Sequence, residues 1–205
     1  MVAQSAPLSP SLRNSPVQAR STARLARLLD ATAEVIDEIG FERVTTAMVA
    51  ERAGASIGTV YRYFPERIAL LEAASARNAS EFVAEMDSAL RDKKHKTWQD
   101  AISAAVDLYA RSFSQKKGFR SLRFGDVIDV RPMPKDRTNI SWVAGVMAST
   151  VADKFEVDAG PALALRIETA LHLADALLAR AYSIKASGDK AFIDEAKSVV
   201  RGYLQ

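Results

Sequence analysis

Residues 45–64 read TTAMVAERAGASIGTVYRYF, and this stretch decides the fold. Thr45 and Thr46 are both good helix caps, and the short helix they open reaches about Ala53 before Gly54 breaks it. Ser56 caps a second short helix through about Tyr63; Pro65 stops it, because proline has no N–H for the helical ladder. The spacing across the pair is small, glycine, apolar. Ala50 sits where two helices approach closely, Gly54 where the turn calls for positive φ, and Val60 where the second helix plugs against the first. A helix-turn-helix has this spacing, and so does an αα-hairpin with no role in DNA binding.

The outward face of the second helix narrows the choice. A helical wheel turns Gly58, Thr59, Arg62 and Tyr63 away from Val60 and Phe64. Nearly all of them donate hydrogen bonds and none is acidic, and a glycine lets another backbone come close. A recognition helix in a major groove needs this combination. The helix has barely two turns, so its first residues are the ones placed to reach base edges. The tyrosines and the arginine are better placed to hold phosphates and set register.

With its flanks, LLDATAEVIDEIGFERVTTAMVAERAGASIGTVYRYFPERIAL resembles the N-terminal domain of the TetR family of bacterial transcriptional regulators. The shared marks are Gly40-Phe41, Thr45-Thr46, the run from Val49-Ala50 to Ala53-Gly54, Gly58-Thr59-Val60-Tyr61, Tyr63-Phe64 and Leu70. The resemblance implies roles residue by residue. Thr46 would bind phosphate; Ser56, Ile57, Gly58 and Thr59 would read bases; Tyr61 and Tyr63 would bind phosphate, with Arg62 on the same face. Arg67 stands where the family commonly has lysine, and the retained cation is expected at phosphate. Ile57 departs from a position often polar in relatives. The wheel places it near the buried face, whereas the resemblance, which we favour, places it toward DNA and a thymine methyl.

Working outward, the periodicity predicts an all-α protein of about nine helices. Residues 1–18, rich in Ser and Pro, are expected to form a disordered arm. Residues 19–66 are expected to form the helix-turn-helix domain, and 67–205 a larger helical domain for ligand binding and dimerisation. The first helix is expected over 19–39, with a buried stripe at Leu25, Leu28, Leu29, Thr32, Val35, Ile36 and Ile39. Arg13, Arg20, Arg24 and Arg27 precede the first acid, Asp30, where cations oppose the helix dipole. Either a phosphate backbone or simple solvation would favour them there. Later helices are expected near 67–91, 97–116, 119–129, 136–155, 159–187 and 189–203. On the 119–129 helix, Arg120, Arg123, Asp126 and Asp129 are spaced for ion pairs, and the cations from Leu108 to Gly125 face either DNA or the first helix.

The larger half holds the candidate effector residues Tyr109, Phe113, Phe124, Trp142, His172 and Asp175. Aromatic rings with a few polar groups suit a largely apolar small molecule. The alanine-rich stretch PALALRIETALHLADALLARAY carries apolar residues on more than one stripe. With Phe192, Ile193, Ala196, Val199, Val200 and Tyr203 it is expected to form a two-fold interface between copies.

Composition sets the remaining expectations. A net charge of +3 makes any DNA binding the work of a local patch rather than of the whole chain. There is no cysteine, hence no disulfide or thiol nucleophile. Two histidines and no glycine-rich phosphate loop argue against an enzyme, and no cofactor or metal is expected. The N-terminus lacks the apolar core of a signal peptide, and no stretch is long enough to span a membrane, so a cytoplasmic location is expected. The leading expectation is a homodimeric repressor on a pseudo-palindromic DNA operator, released by a small molecule. The alternative is an activator or DNA-bound adaptor of the same fold.

Overall fold

The computed structural model describes residues 19–125, 128 and 138–205. The expected N-terminal arm, Arg13, Asp126 and Asp129 lie outside them. Among the described residues the chain is all-helical: α1 (Ala19–Ile39), α2 (Thr46–Arg52), α3 (Ile57–Tyr63), α4 (Arg67–Leu90), α5 (Trp98–Gln115), α6 (Phe119–Leu122), α7 (Asn139–Phe155), α8 (Pro161–Ile184) and α9 (Lys190–Leu204), with a 3-10 turn at Phe41–Arg43. No helix among them is long and apolar enough to cross a membrane.

These helices gather into two compact units. In the first, residues 19–78 join with 117–125 and Ile128. The α1 stripe supplies Leu28, Leu29, Val35 and Ile36 to a core that also holds Val49 and Ala50 of α2, Val60 of α3, Phe64, and Leu70 and Leu71 of α4. Thr32, the polar member of the stripe, is buried and donates its hydroxyl to the Leu28 carbonyl at 2.7 Å, so burial leaves it satisfied. Packing groups the chain differently from the division expected at 66/67. The first part of α4 and the segment after Lys117 belong with the helix-turn-helix.

The helix expected over 119–129 is corrected too. α6 ends at Leu122, because Arg123 has φ 47° and Gly125 φ 86°. The segment's start is fixed by packing. A Cβ on Gly118 (φ 69°) would lie 2.7 Å from the Ala33 carbonyl oxygen and 3.1 Å from Ile36, so only glycine lets the turn lie flat on α1. Asp126 and Asp129, the acids of the expected ion pairs, lie outside the described residues. Lys117 pairs with Glu34 at 2.9 Å and Arg120 approaches Asp37 at 3.8 Å, so these cations face the first helix.

The second unit comprises Ala79–Lys116 and residues 138–205. α8 packs against α7 and α9, and α5 against α8 and α9. Thr97, Thr138 and Asp189 cap α5, α7 and α9 through their side-chain oxygens. Lys154, in the last turn of α7, donates to the Leu90 and Asp92 carbonyls at 2.9 and 2.7 Å and so satisfies the end of α4.

Candidate nucleic-acid interface

Two side-chain caps and one turn glycine set up α2 and α3. The Thr45 hydroxyl oxygen accepts from the Met48 N–H at 3.2 Å and opens α2. Gly54 takes φ 61° at the turn, as its position requires. The Ser56 hydroxyl accepts from the Thr59 N–H at 3.2 Å and opens α3. Val60 is fully buried beneath. The sequence-derived geometry of helix, turn and helix thus holds in each part.

The side chains expected to face DNA differ in two places from expectation. Ser56, Ile57, Gly58, Tyr61 and Arg62 are exposed, with Ile57 at 42% and Tyr61 at 46%. Ile57 faces outward, as the resemblance implies and against the wheel. Tyr63, expected on that outward face, is only 3% exposed. It lies three residues after Val60, within about 60° of it around the helix, and therefore turns inward. Its hydroxyl meets Ser21 Oγ at 2.9 Å, tying the first turn of α1 to the end of α3. Thr59 is half-buried, and its Oγ1 lies 3.0 Å from Ser56 Oγ, so the two hydroxyls spend one of their protons on each other.

Arg67 is the second difference. Its Nε donates to the Val44 carbonyl at 2.9 Å, and its Nη2 to those of Phe41 and Glu42 at 2.9 and 3.1 Å. The guanidinium expected at phosphate is committed to the loop between α1 and α2. Thr46, by contrast, is half-buried, and its Oγ1 lies 3.4 Å from the Tyr61 hydroxyl. The two hydroxyls form a neutral pair at the edge of α3, an arrangement suited to one phosphate oxygen.

Gly58 is exposed, and a Cβ there would meet only Ser56 Oγ, at 3.9 Å. Nothing in the packing requires glycine, and glycine inside a helix costs about 0.5–1 kcal/mol relative to alanine. The open space above α3 is the reason left for it. Two features had weak signals in the sequence. Met48, 43% exposed on α2, is an apolar residue on a solvent face. Arg20, Arg24 and Arg27, at i, i+4 and i+7 on α1, are all exposed, and none forms an ion pair among the described residues. Acids gather instead at the other end of α1. Glu34 and Glu38 hold Arg52 of α2 at 3.5 and 2.7 Å. The Lys117 ammonium lowers the pKa of Glu34, and the hydrogen bond from Arg52 lowers that of Glu38.

The candidate effector residues separate. Tyr109 and Phe113 are buried in the second unit, edge to face at 5.3 Å, with the Tyr109 hydroxyl donating to Asp175 Oδ1 at 2.6 Å. Phe113 stacks on Tyr182 at 5.1 Å. Trp142 is half-buried, and its Nε1 is enclosed without a hydrogen-bond partner among the described residues. Two expectations are corrected. His172 is exposed, because α8 turns Leu171 and Ala174 inward on either side of it. Phe124 belongs to the first unit, edge to face with Phe119 at 5.8 Å.

A capped two-turn helix, braced by a second and offering uncharged donors and an arginine, defines the helix-turn-helix class of DNA-binding regulators. Family comparisons agree. Residues 28–74 match the family described as bacterial regulatory proteins, tetR family, and residues 96–205 match the tetracyclin repressor-like C-terminal domain. The chain belongs to the TetR family. Among curated relatives, the transcriptional repressor KstR of Mycolicibacterium smegmatis is 42% identical over 66 residues, 32% of this chain and 32% of its own length. The alignment thus spans about a third of that relative. A TetR-family regulator from Streptomyces coelicolor superposes with a TM-score of 0.76 and 27% identity, covering 88% of this chain and 97% of its own. FadR from Bacillus subtilis, solved with stearoyl-CoA, superposes at 0.62 with 16% identity over 88% of this chain and 97% of its own, which shows shared fold.

Proposed function

We propose that the chain is a transcriptional repressor that binds a pseudo-palindromic operator as a homodimer and is released by a small molecule held in its larger helical part. The exposed Gly58, backed by no packing need, carries the DNA-binding half of this reading. The operator-reading residues fall within 19–66 and the effector and dimer surfaces within 67–205, although the first part of α4 and the segment after Lys117 pack with the former. Ser56, Ile57, Gly58 and Thr59 meet bases; Thr46, Tyr61 and Arg62 meet the backbone. Tyr63 and Arg67 serve the same interface indirectly, by holding α1 and the 41–44 loop in place.

Two copies support recognition, since short helices about one DNA turn apart read two half-sites. The pairing surface we assign to α8 and α9, where Leu165, Ile184 and Tyr203 are 58%, 45% and 38% exposed while Ile167, Ala174, Leu178 and Val200 fill the inner faces. The effector is largely apolar, like its aromatic surroundings, and bears an acceptor for the enclosed Trp142 N–H. By binding the arrangement that cannot engage DNA more tightly, it shifts the population off the operator.

Gly58→Ala tests the reading directly. The added methyl enters open space, so the melting temperature stays level or rises slightly. Affinity for a selected operator falls about tenfold or more, since the methyl occupies the approach of the groove floor. Wild-type affinity in this variant would remove α3 from the interface. Tyr61→Phe has a smaller and different effect. It weakens binding about threefold to fivefold on every sequence alike, as expected for a phosphate contact, without changing stability. A loss confined to one base position would make Tyr61 a base reader.

A further inference from the structure

The exposed side chains of α3 are unevenly equipped for reading bases. Ser56 Oγ already accepts from the Thr59 N–H and faces Thr59 Oγ1, so this hydroxyl pair keeps one proton for DNA. Gly58 offers no side chain. Ile57 is the largest side chain in the first turn, it is 42% exposed, and it has no polar atom. Tyr61 follows four residues on, on the same face, and is 46% exposed. The front of the helix is therefore an apolar strip, Ile57 to Tyr61, bordered by the open space over Gly58 and by Arg62.

Exposed apolar area of this kind ordinarily marks a partner surface. Its occupant is argued by charge and shape. Residues 53–65 contain no acid, and Arg62 is exposed among them, which favours a polyanion. The missing side chain at Gly58 admits a close-lying surface such as a groove floor. Within a major groove, a sec-butyl group without donors or acceptors distinguishes one feature from all others: the 5-methyl group of thymine. Cytosine presents only a hydrogen at that carbon, and the purines present acceptors that Ile57 would desolvate without replacing their hydrogen bonds.

We propose that Ile57 is a specificity-determining residue that reads a thymine 5-methyl group in each operator half-site. The inference rests on the DNA-binding reading above and deepens it by stating what kind of base is read. The polar residues common at this position in relatives would read a hydrogen-bonding edge instead.

The test uses the full chain and a duplex obtained by iterative selection from random sequence. Each thymine of a half-site is replaced in turn by deoxyuridine, which removes the methyl group and nothing else. Wild-type protein is expected to lose affinity about fourfold at one position per half-site, the transfer free energy of one buried methyl. Ile57→Ala is expected to bind the thymine and deoxyuridine duplexes equally, with an unchanged melting temperature because the side chain is exposed. Indifference of the wild type to every thymine methyl overturns the assignment. So does an Ile57→Ala protein that keeps the methyl preference, or a Met48→Ala protein that loses it. If selection enriches no sequence, the DNA-binding reading itself has failed, and this inference goes with it.

Discussion

Raising the salt from about 50 to about 200 mM is expected to weaken operator binding roughly four-thousandfold. Only cations release counterions, so the size of the effect follows from which cations are exposed beside α3. Arg52 is held by Glu34 and Glu38, Lys117 by Glu34, and Arg67 by backbone carbonyls. Arg20, Arg24 and Arg27 are exposed on α1 without ion pairs among the described residues, and Arg62 is exposed on α3. Tyr63 bonds Ser21 at 2.9 Å, which brings the arginine-bearing end of α1 beside α3. Four guanidinium groups per copy, with three or four of them engaged, give about six to eight phosphate contacts in a two-fold complex and a log–log slope near −6.

The arginine positions make this prediction sharper than a generic salt effect. Arg24→Gln is expected to flatten the slope by about two, one charge per copy at about 0.9 each. It should leave the melting temperature unchanged, since Arg24 supports nothing in the fold. The hydroxyls of Thr46 and Tyr61 are neutral, so their removal lowers affinity and leaves the slope where it was. A slope unaffected by Arg24→Gln would return the α1 arginines to the role of a solvated face. A flat salt response of the wild type would remove phosphate binding from the account.

Much of this arrangement was legible in the sequence because its causes are local. A capping hydroxyl, a positive-φ glycine and a buried valine act within a few residues, and Thr45, Ser56, Gly54 and Val60 do what their positions imply. The misread residues were decided at a distance. Tyr63 looked like a surface donor until the first turn of α1, 42 residues earlier, supplied Ser21. Arg67 looked like a free cation until the loop between α1 and α2 supplied three carbonyls. His172 and Phe124 were grouped with Tyr109 and Phe113 by chemical type. Type does not say which face of α8 His172 occupies, or that Phe124 joins Phe119 in the other unit. The 119–129 helix failed for a similar reason. Its residues suit a helix, but the backbone turns at Arg123 and Gly125, where a Cβ on Gly125 would lie 2.5 Å from the Ser75 Cβ of α4. In each case local propensity gave way to a contact that no window of sequence contains.

The Arg67 contacts lead to the other large effect. The 3-10 turn at Phe41–Arg43 and Val44 form a loop whose carbonyls at 41, 42 and 44 all point to one guanidinium. Removing it in Arg67→Ala leaves the part-buried carbonyls of Phe41 and Val44 without this donor. The cost is about 3 kcal/mol, which for a chain of this length lowers the melting temperature by about 10 °C. Arg67→Lys should recover less than half, because an ammonium on a flexible stem does not reproduce a planar fork spread across three acceptors. DNA affinity in Arg67→Ala falls as well, since this loop leads directly into Thr45 and Thr46 at the start of α2. The salt slope stays at the wild-type value, because no phosphate contact has been lost. Thermal melts followed by circular dichroism, together with binding at several salt concentrations, separate this from a direct contact. A phosphate ligand would show the reverse pattern, an unchanged melt and a shallower slope. That outcome would mean that the bonds to Phe41, Glu42 and Val44 are given up when DNA binds, and that Arg67 is spent on the operator rather than on the fold.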